Sequence, residues 1–388
     1  MHNFIYDIPT KVYFGQGQIE NLPMELSKYG KKVLLVYGGG SIKKMGLYDT
    51  LMDLLKDFEV FEVAGIAPNP RIESVREGVK ICKEEKIDVC LAVGGGSTID
   101  ATKFMAAGAF VEHDPWLFFS DKANTPIEKA LPIVTVLTLS ATGSEMDDGG
   151  VISNPVTNDK LDRCSNCLKP KASFLDPTYT YTVSKFQTAC GSVDIMSHIM
   201  EVYFNMNQDF DMLDGFMESM LRTIMKYAPV AMKDPTNYEA RANLMWASSW
   251  AINGFVVGGK KQSWSCHKLE HELSAYYDIT HGLGLAILTP AWMRYCLSEN
   301  TVSKYVQFGV NVMGIDPNLK PMDIANTAID RLQDFFVHTL GLKPTLKDIG
   351  IDSSKFEIMA RKAVKNDVIH GFIPLREEDA LEIFKMCQ

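Results

Sequence analysis

Two Gly-Gly-Gly-Ser sequences, Gly38-Gly39-Gly40-Ser41 and Gly94-Gly95-Gly96-Ser97, each stand between a β-rich apolar run and a helical stretch. Three successive glycines remove every Cβ from the junction, so backbone N–H groups can close on a phosphate, and the helix N-terminus behind them adds free donors and a favourable dipole. One such loop alone is as simply a tight turn that needs positive φ. Two at the same edge of one parallel sheet point to a dinucleotide, because ligands of open α/β sheets sit outside the strand carboxyl ends. A third loop, Thr138-Leu139-Ser140-Ala141-Thr142-Gly143-Ser144-Glu145, follows the run from Ile133 and offers small hydroxyls to a diphosphate, ribose or nicotinamide amide. Hydroxyl-rich turns also cap helices or satisfy their own backbone, so this loop carries little by itself.

The 388 residues, 46% hydrophobic and 22% charged, suffice for two domains with a core each. Val33 to Tyr37, Val60 to Val63, Ile87 to Val93 and Ile133 to Thr138 read as strands, alternating with helical stretches near Met45 to Phe58, Ile72 to Glu84 and Thr98 to Ala107. Such alternation predicts a parallel sheet wound with helices. After about Thr182 the period changes. Gln187 to Asn205, Phe210 to Tyr227, Glu239 to Phe255 and Ala325 to Leu340 carry helical apolar spacing, and their Met and aromatic residues read as core. With a boundary at the turn Asp176-Pro177-Thr178, the expectation is an α/β Rossmann-like dinucleotide-binding domain over residues 1–182, followed by an all-α metal-binding domain over residues 183–388.

A formal net charge of -9 opposes binding to a phosphate polyanion, and no basic stripe overrides it, so no nucleic-acid partner is expected. The start, Met1 to Gly15, lacks the basic and apolar regions of a signal peptide, and no apolar run approaches a membrane span. Eight cysteines without an export signal read as reduced thiols in the cytoplasm. Cys164 and Cys167 form a CxxC pair with no second pair at zinc-knuckle spacing, and read as incidental.

Asp194-x3-His198 and, later, His267-x3-His271-x9-His281-Gly282 gather four of the eight histidines with one acid. Residues four apart share a helix face, so Asp194 with His198 and His267 with His271 each present paired donors, and two helices can converge on a cation. One carboxylate with several imidazoles suits a first-row divalent metal such as iron or zinc, whereas calcium or magnesium calls for more oxygen. One buried histidine is more simply a hydrogen-bonded core residue; a cluster of them in apolar helices demands partners, which a metal supplies. His2, His113, His338 and His370 lack this spacing and read as surface or turn residues.

With these loops and the histidine run together, the sequence resembles the iron-dependent (group III) alcohol dehydrogenase family, and within it the NADPH-dependent butanol dehydrogenase and aldehyde reductase branch. The likeness runs from Pro9-Thr10-Lys11-Val12-Tyr13-Phe14-Gly15 to the last helices. The resemblance implies that Asp194, His198, His267 and His281 hold the metal, and that His271 faces the nicotinamide as a proton relay. It implies cofactor contacts from the first loop, Gly38, Gly39, Gly40 and Ser41. Gly94, Gly95, Gly96, Ser97 and Asp100 match the diphosphate loop and its helix, Thr138 and Thr142 the nicotinamide side, and Asn69 and Lys160 further contacts. A homodimer is implied in the same way. At Gly39 the NAD-using relatives carry an aspartate that grips the ribose hydroxyls, so its absence favours NADP(H), with Ser41, Lys43 and Lys44 near the 2′-phosphate. One departure is Asp147, where the branch commonly has asparagine; a carboxylate there threatens cofactor affinity.

The chemistry this implies is hydride transfer between NADP(H) and a small aldehyde or primary alcohol, with the metal as electrophile. Phe255, Trp264 and Tyr276 suggest apolar surroundings for a short unbranched or aromatic aldehyde. Competing readings are a lyase of the dehydroquinate synthase kind, which needs a basic pocket not seen here, a glycerol dehydrogenase, separated by its ligand set and by Gly39, and a nucleotide-binding redox sensor with a structural metal.

Overall fold

The computed structural model describes residues 3–206, 210–260, 264–365 and 367–388; His2 lies outside them. Among the described residues eight strands are formed: β1 Lys11–Phe14, β2 Lys32–Tyr37, β3 Glu59–Val63, β4 Val89–Gly94, β5 Ile133–Leu137, β6 Gly149–Asn154, β7 Asp159–Cys164 and β8 Ala172–Leu175. Between and after them run α1 Leu22–Leu26, α2 Ser41–Lys44, α3 Leu47–Leu54, α4 Ile72–Glu84, α5 Gly96–Gly108, α6 Leu117–Ser120, α7 Lys185–Tyr203, α8 Asp211–Lys233, α9 Tyr238–Ile252, α10 Ser265–Tyr277, α11 His281–Cys296, α12 Val302–Asn311, α13 Pro321–Asp334, α14 Phe356–Val364 and α15 Glu377–Met386.

A parallel sheet with helices thus makes the N-terminal part, and the C-terminal part is mostly helical. The sheet has the order β1-β8-β5-β4-β2-β3, every neighbouring pair being parallel. Its central strands are apolar on both faces, as parallel strands covered by helices must be. Along β2, Leu34 and Val36 enter one core with Val75, Phe104 and Phe118, while Val33, Leu35 and Tyr37 enter the other with Leu22 and Leu51. The chain runs outward from β2 to β3 and returns on the opposite side of β2 as β4, so the winding reverses between β2 and β4. This is the switch point at which open α/β sheets hold ligands. β6 and β7 form a separate antiparallel hairpin.

The chain divides into two compact units. One comprises Asp7–Val183 and Pro235–Asn253; the other Met1–Tyr6, Ser184–Asp234 and Gly254–Gln388. α9 therefore belongs with the sheet, where Met245 completes a small core with Ala92, Ile99, Leu137 and Leu175. In the helical unit α7 is buried almost all round from Thr188 to Tyr203. No helix among the described residues is long and apolar enough to cross a membrane.

Candidate functional site

β2 and β4 are hydrogen-bonded neighbours, with Tyr37 opposite Val93, so the two glycine loops emerge side by side at the switch point. Gly40 has φ 99 and leads into α2, a single turn; the first loop thus includes the tight turn that the sequence left open. The second opens the long α5 at Gly96, with Gly95 as N-cap. β5 delivers the third loop alongside, its Thr138 N donating to Gly94 O at 3.0 Å. A Cβ on Gly96 would stand 2.2 Å from Thr142 Oγ1, so the glycine is what lets these two loops close together. The segment after β3 returns to the first loop: Gly65 N donates to Gly38 O and Ile66 N to Tyr37 O, both at 3.2 Å. Asn69 lies on that segment with φ 53. The next residue, Pro70, accepts from Ser153 N at 2.8 Å, and Ser153 is paired with the buried Lys160 across the hairpin. Asn69 and Lys160 are brought toward one another through that pairing.

Asp100 and Asp147 have partners that their place in the sequence did not reveal. Asp100 accepts from Ser144 Oγ at 2.6 Å and from Val151 N at 2.9 Å, which fastens the third loop and β6 to α5. Burial pushes its carboxyl up to about 6 despite the Lys103 ammonium. Lys103, fully buried, donates to Ser144 Oγ at 2.9 Å and to Gly149 O at 2.7 Å, and it forms an ion pair with Asp147. The carboxylate at position 147 is thus matched by a cation from α5. At Gly39, exposed, no atom lies within 4 Å of a built Cβ. Lys43 turns its ammonium over the rings of Tyr37 and Tyr48, 5.2 and 4.5 Å from their centroids, while Ser41 and Lys44 are exposed.

In the helical unit, α7 presents Asp194 and His198, α10 presents His267 and His271, and α11 begins with His281. The Nε2 atoms of His198, His281 and His267 lie 3.5, 3.6 and 3.8 Å from one oxygen, Asp194 Oδ1. Ligand bonds of about 2.1 Å in a tetrahedron separate donors by roughly 3.4 Å, so this spacing fits one small divalent cation. Asp194 Oδ1 and His267 Nε2 are also buried without a hydrogen-bond partner, the signature of donors that await a ligand. Asp194, His267 and His281 offer donor atoms within 4.8 Å of one another, and His198 joins them through Asp194. His271, half-buried, stands to one side, its ring centroid 5.8 Å from that of His281 and 6.4 Å from that of His267. Its nitrogen groups with Glu270 and His281.

Charge is distributed unevenly over this cluster. Burial by itself would raise Asp194, yet the surrounding imidazoles hold it well below the usual carboxylate range. Burial drives His198 down to about 3. It would lower His267 too, but the neighbouring carboxylates Asp194 and Glu201 outweigh it and lift this imidazole to about 9. Trp264 stands edge-on to His198 and His267, at 5.7 and 4.9 Å. Tyr276 instead lies beneath Lys355 and Lys362, and Phe255 packs on Tyr6 and Phe216. Of the three aromatic residues expected around a substrate, Trp264 is the one whose contacts place it against the imidazoles.

The sequence pattern counted a single acid, and the structure adds Glu201 and Glu270. Glu201 Oε1 accepts from His267 Nδ1 and from His267 N, each at 2.8 Å, and Glu270 bonds His281 Nδ1. A readable signal existed: Glu201 follows His198 by three residues and Asp194 by seven, on the same helix face. His338 and His370 are exposed and His113 is half-buried. Cys164 is exposed in β7, Cys167 accompanies Ser165, and all eight cysteines are unpaired.

The model of the iron-containing alcohol dehydrogenase family matches residues 9–177, and that of the C-terminal part of the Fe-containing alcohol dehydrogenase family matches residues 188–387. The chain is 51% identical over 389 residues to NADH-dependent butanol dehydrogenase A of Clostridium acetobutylicum, covering 99% of each. It is 43% identical over 293 residues to the NADPH-dependent aldehyde reductase YqhD of Escherichia coli, covering 75% of each. The crystal structure of NADH-dependent butanol dehydrogenase A from Thermotoga maritima superposes with a TM-score of 0.94 at 40% identity, over 100% of this chain and 99% of that one.

Proposed function

The chain belongs to the iron-containing alcohol dehydrogenase family, and from that premise we propose that it moves hydride between NADP(H) and a short apolar aldehyde or the matching primary alcohol. It is an oxidoreductase acting on alcohols and aldehydes, with a nicotinamide dinucleotide and a divalent metal as its cofactors. The observation that carries the assignment of residues is the convergence of three Nε2 atoms on Asp194 Oδ1. Asp194, His198, His267 and His281 are the proposed ligands of one iron or zinc ion. When bound, that ion supplies electrophilic polarisation of a carbonyl oxygen, and the nicotinamide supplies the hydride. The chain's own part is to orient and to manage protons. His271 is the proposed relay, receiving or donating a proton at the substrate oxygen.

The diphosphate is assigned to residues 94–97 at the start of α5, and the remaining cofactor contacts to Gly38, Gly39, Gly40, Ser41, Asn69, Asp100, Thr138, Thr142 and Lys160. Asp100 contributes by pinning the loops, since its carboxylate already accepts from Ser144 and Val151. Preference for NADPH rests on Gly39. The relatives divide on this point, those at 51% identity being named for NADH and the one at 43% for NADPH. Unpaired cysteines support a reducing cytoplasmic setting, and a homodimer is proposed with it.

The test is an aldehyde panel with NADPH and NADH on protein reconstituted with single metals, beside Asp194→Ala, His198→Ala, His267→Ala and His281→Ala. Each variant is expected to lose metal and most turnover. Normal metal content in any one removes that residue from the ligand set, and no aldehyde reduction with any metal removes the activity.

A further inference from the structure

Behind two of the imidazoles stand buried carboxylates that belong to neither the proposed ligand set nor the proton relay. Glu201, on α7, is 2% exposed. Its Oε1 accepts from His267 Nδ1 and from His267 N, both at 2.8 Å. His267 is the third residue of α10, whose N-cap Trp264 makes no side-chain hydrogen bond, so this N–H is one of the donors a helix start leaves open. A single carboxylate oxygen therefore caps α10 and holds the ring that α10 carries. Glu270, fully buried on α10, bonds His281 Nδ1 with one oxygen and accepts from Ser274 Oγ with the other. Its place against α11 depends on Gly284, where a Cβ would come within 2.8 Å of Glu270 Cγ and 3.0 Å of its Oε1. His198 differs, since its Nδ1 is buried with no hydrogen-bond partner.

A neutral imidazole whose Nδ1–H donates to a carboxylate has its Nε2 lone pair free for a cation, and the ring is fixed in orientation. Resting on the ligand set proposed above, we propose that Glu201 and Glu270 are positioning residues that hold His267 and His281 as Nδ1–H tautomers with Nε2 presented beside Asp194, so that these two ligands are preset for a divalent cation while His198 adjusts to it. The arrangement runs in sequence: α7 holds the histidine of α10, and α10 holds the histidine of α11. Such outer carboxylates typically change metal affinity by roughly 10–100-fold.

Glu201→Gln, Glu201→Ala, Glu270→Gln and Glu270→Ala test this in the full chain, with Co²⁺ affinity measured by chelator competition on metal-free protein and the visible spectrum of the Co²⁺ form recorded. The expected result is an affinity loss of about 10-fold for the Gln variants and about 100-fold for the Ala variants, with a shifted cobalt spectrum. Wild-type affinity and spectrum in these variants, while Asp194→Ala loses the ion, would make the carboxylates plain core ion pairs and overturn the proposal. Co²⁺ retained by Asp194→Ala would overturn the ligand set itself. Should the variants not fold, the zinc-loaded wild type decides: His267 and His281 are expected to show slowly exchanging Nδ1 protons by NMR, and rapid exchange of both refutes the role of the carboxylates.

Discussion

His271 lies one helical turn beyond His267 and outside the group around Asp194, and this separation makes its role distinguishable from that of a ligand. His271→Ala is expected to keep its metal while kcat falls by ~10²–10⁴-fold, as for loss of a positioned proton relay. Metal analysis checks it, and loss of metal here with retention in His281→Ala would exchange the two roles. Gly39 offers a second single-residue test, because the absence of any atom within 4 Å of its Cβ makes Gly39→Asp a change of charge without a steric cost. Wild type is expected to prefer NADPH, and Gly39→Asp to shift the kcat/KM ratio toward NADH. Equal or better use of NADH by the wild type would refute the cofactor assignment. The grouping of the histidines and the pairing of the glycine loops were legible because histidine spacing and glycine runs are local patterns. Glu201 and Glu270 were not, since an acid in a helix ordinarily marks a solvated face and their burial arises from three helices converging.

Among elements, the contact of α7 with α11 sets the distance between Asp194 and His281. A Cβ on Gly282 would stand 2.0 Å from Cys190 O, so the glycine that follows His281 is what allows α11 to approach α7. Gly282→Ala is expected to push the helices apart, costing about 1–3 kcal/mol of stability as overpacking does and weakening metal binding, although no ligand is altered. A melting curve and chelator competition on the variant measure the two effects, and an unchanged metal affinity would show that the ligands tolerate a displaced α11. β2 and β4 could be read from the sequence because both of their faces are apolar, whereas the β6–β7 hairpin could not. Its strands carry Asp159, Asp162 and Arg163 beside two glycines and follow no alternation that separates them from a loop.

For the whole molecule, the proposed ligands come from three helices that the unfolded chain does not hold together, so metal binding and folding of the helical unit are linked. At a free metal concentration 1,000 times Kd the folded state gains about 4 kcal/mol. Chelation is therefore expected to lower the melting temperature by on the order of 10 °C, and calorimetry with and without added metal checks it; coincident transitions would mean that the ion does not bridge those helices. The long-range organisation was the least legible part of the sequence. Nothing in the helical spacing of α9 indicates that Met245 enters the core of the sheet unit, or that Ser249 donates to the buried Glu145, 104 residues earlier, at 2.5 Å.

That placement of α9 has a consequence for biosynthesis. A chain leaving the ribosome exposes all eight strands by Leu175, yet the unit they form lacks α9 until Ile252 has been translated. Until then Ala92, Ile99, Leu137 and Leu175 have no Met245 to cover them, and the Glu145 carboxyl has no Ser249 to bond. The nascent sheet must wait, partly bare, while α7 and α8 are made in between. Chaperone contact and vulnerability to protease therefore belong to that interval, and a transcript truncated before α9 yields a chain with no means of closing its first unit.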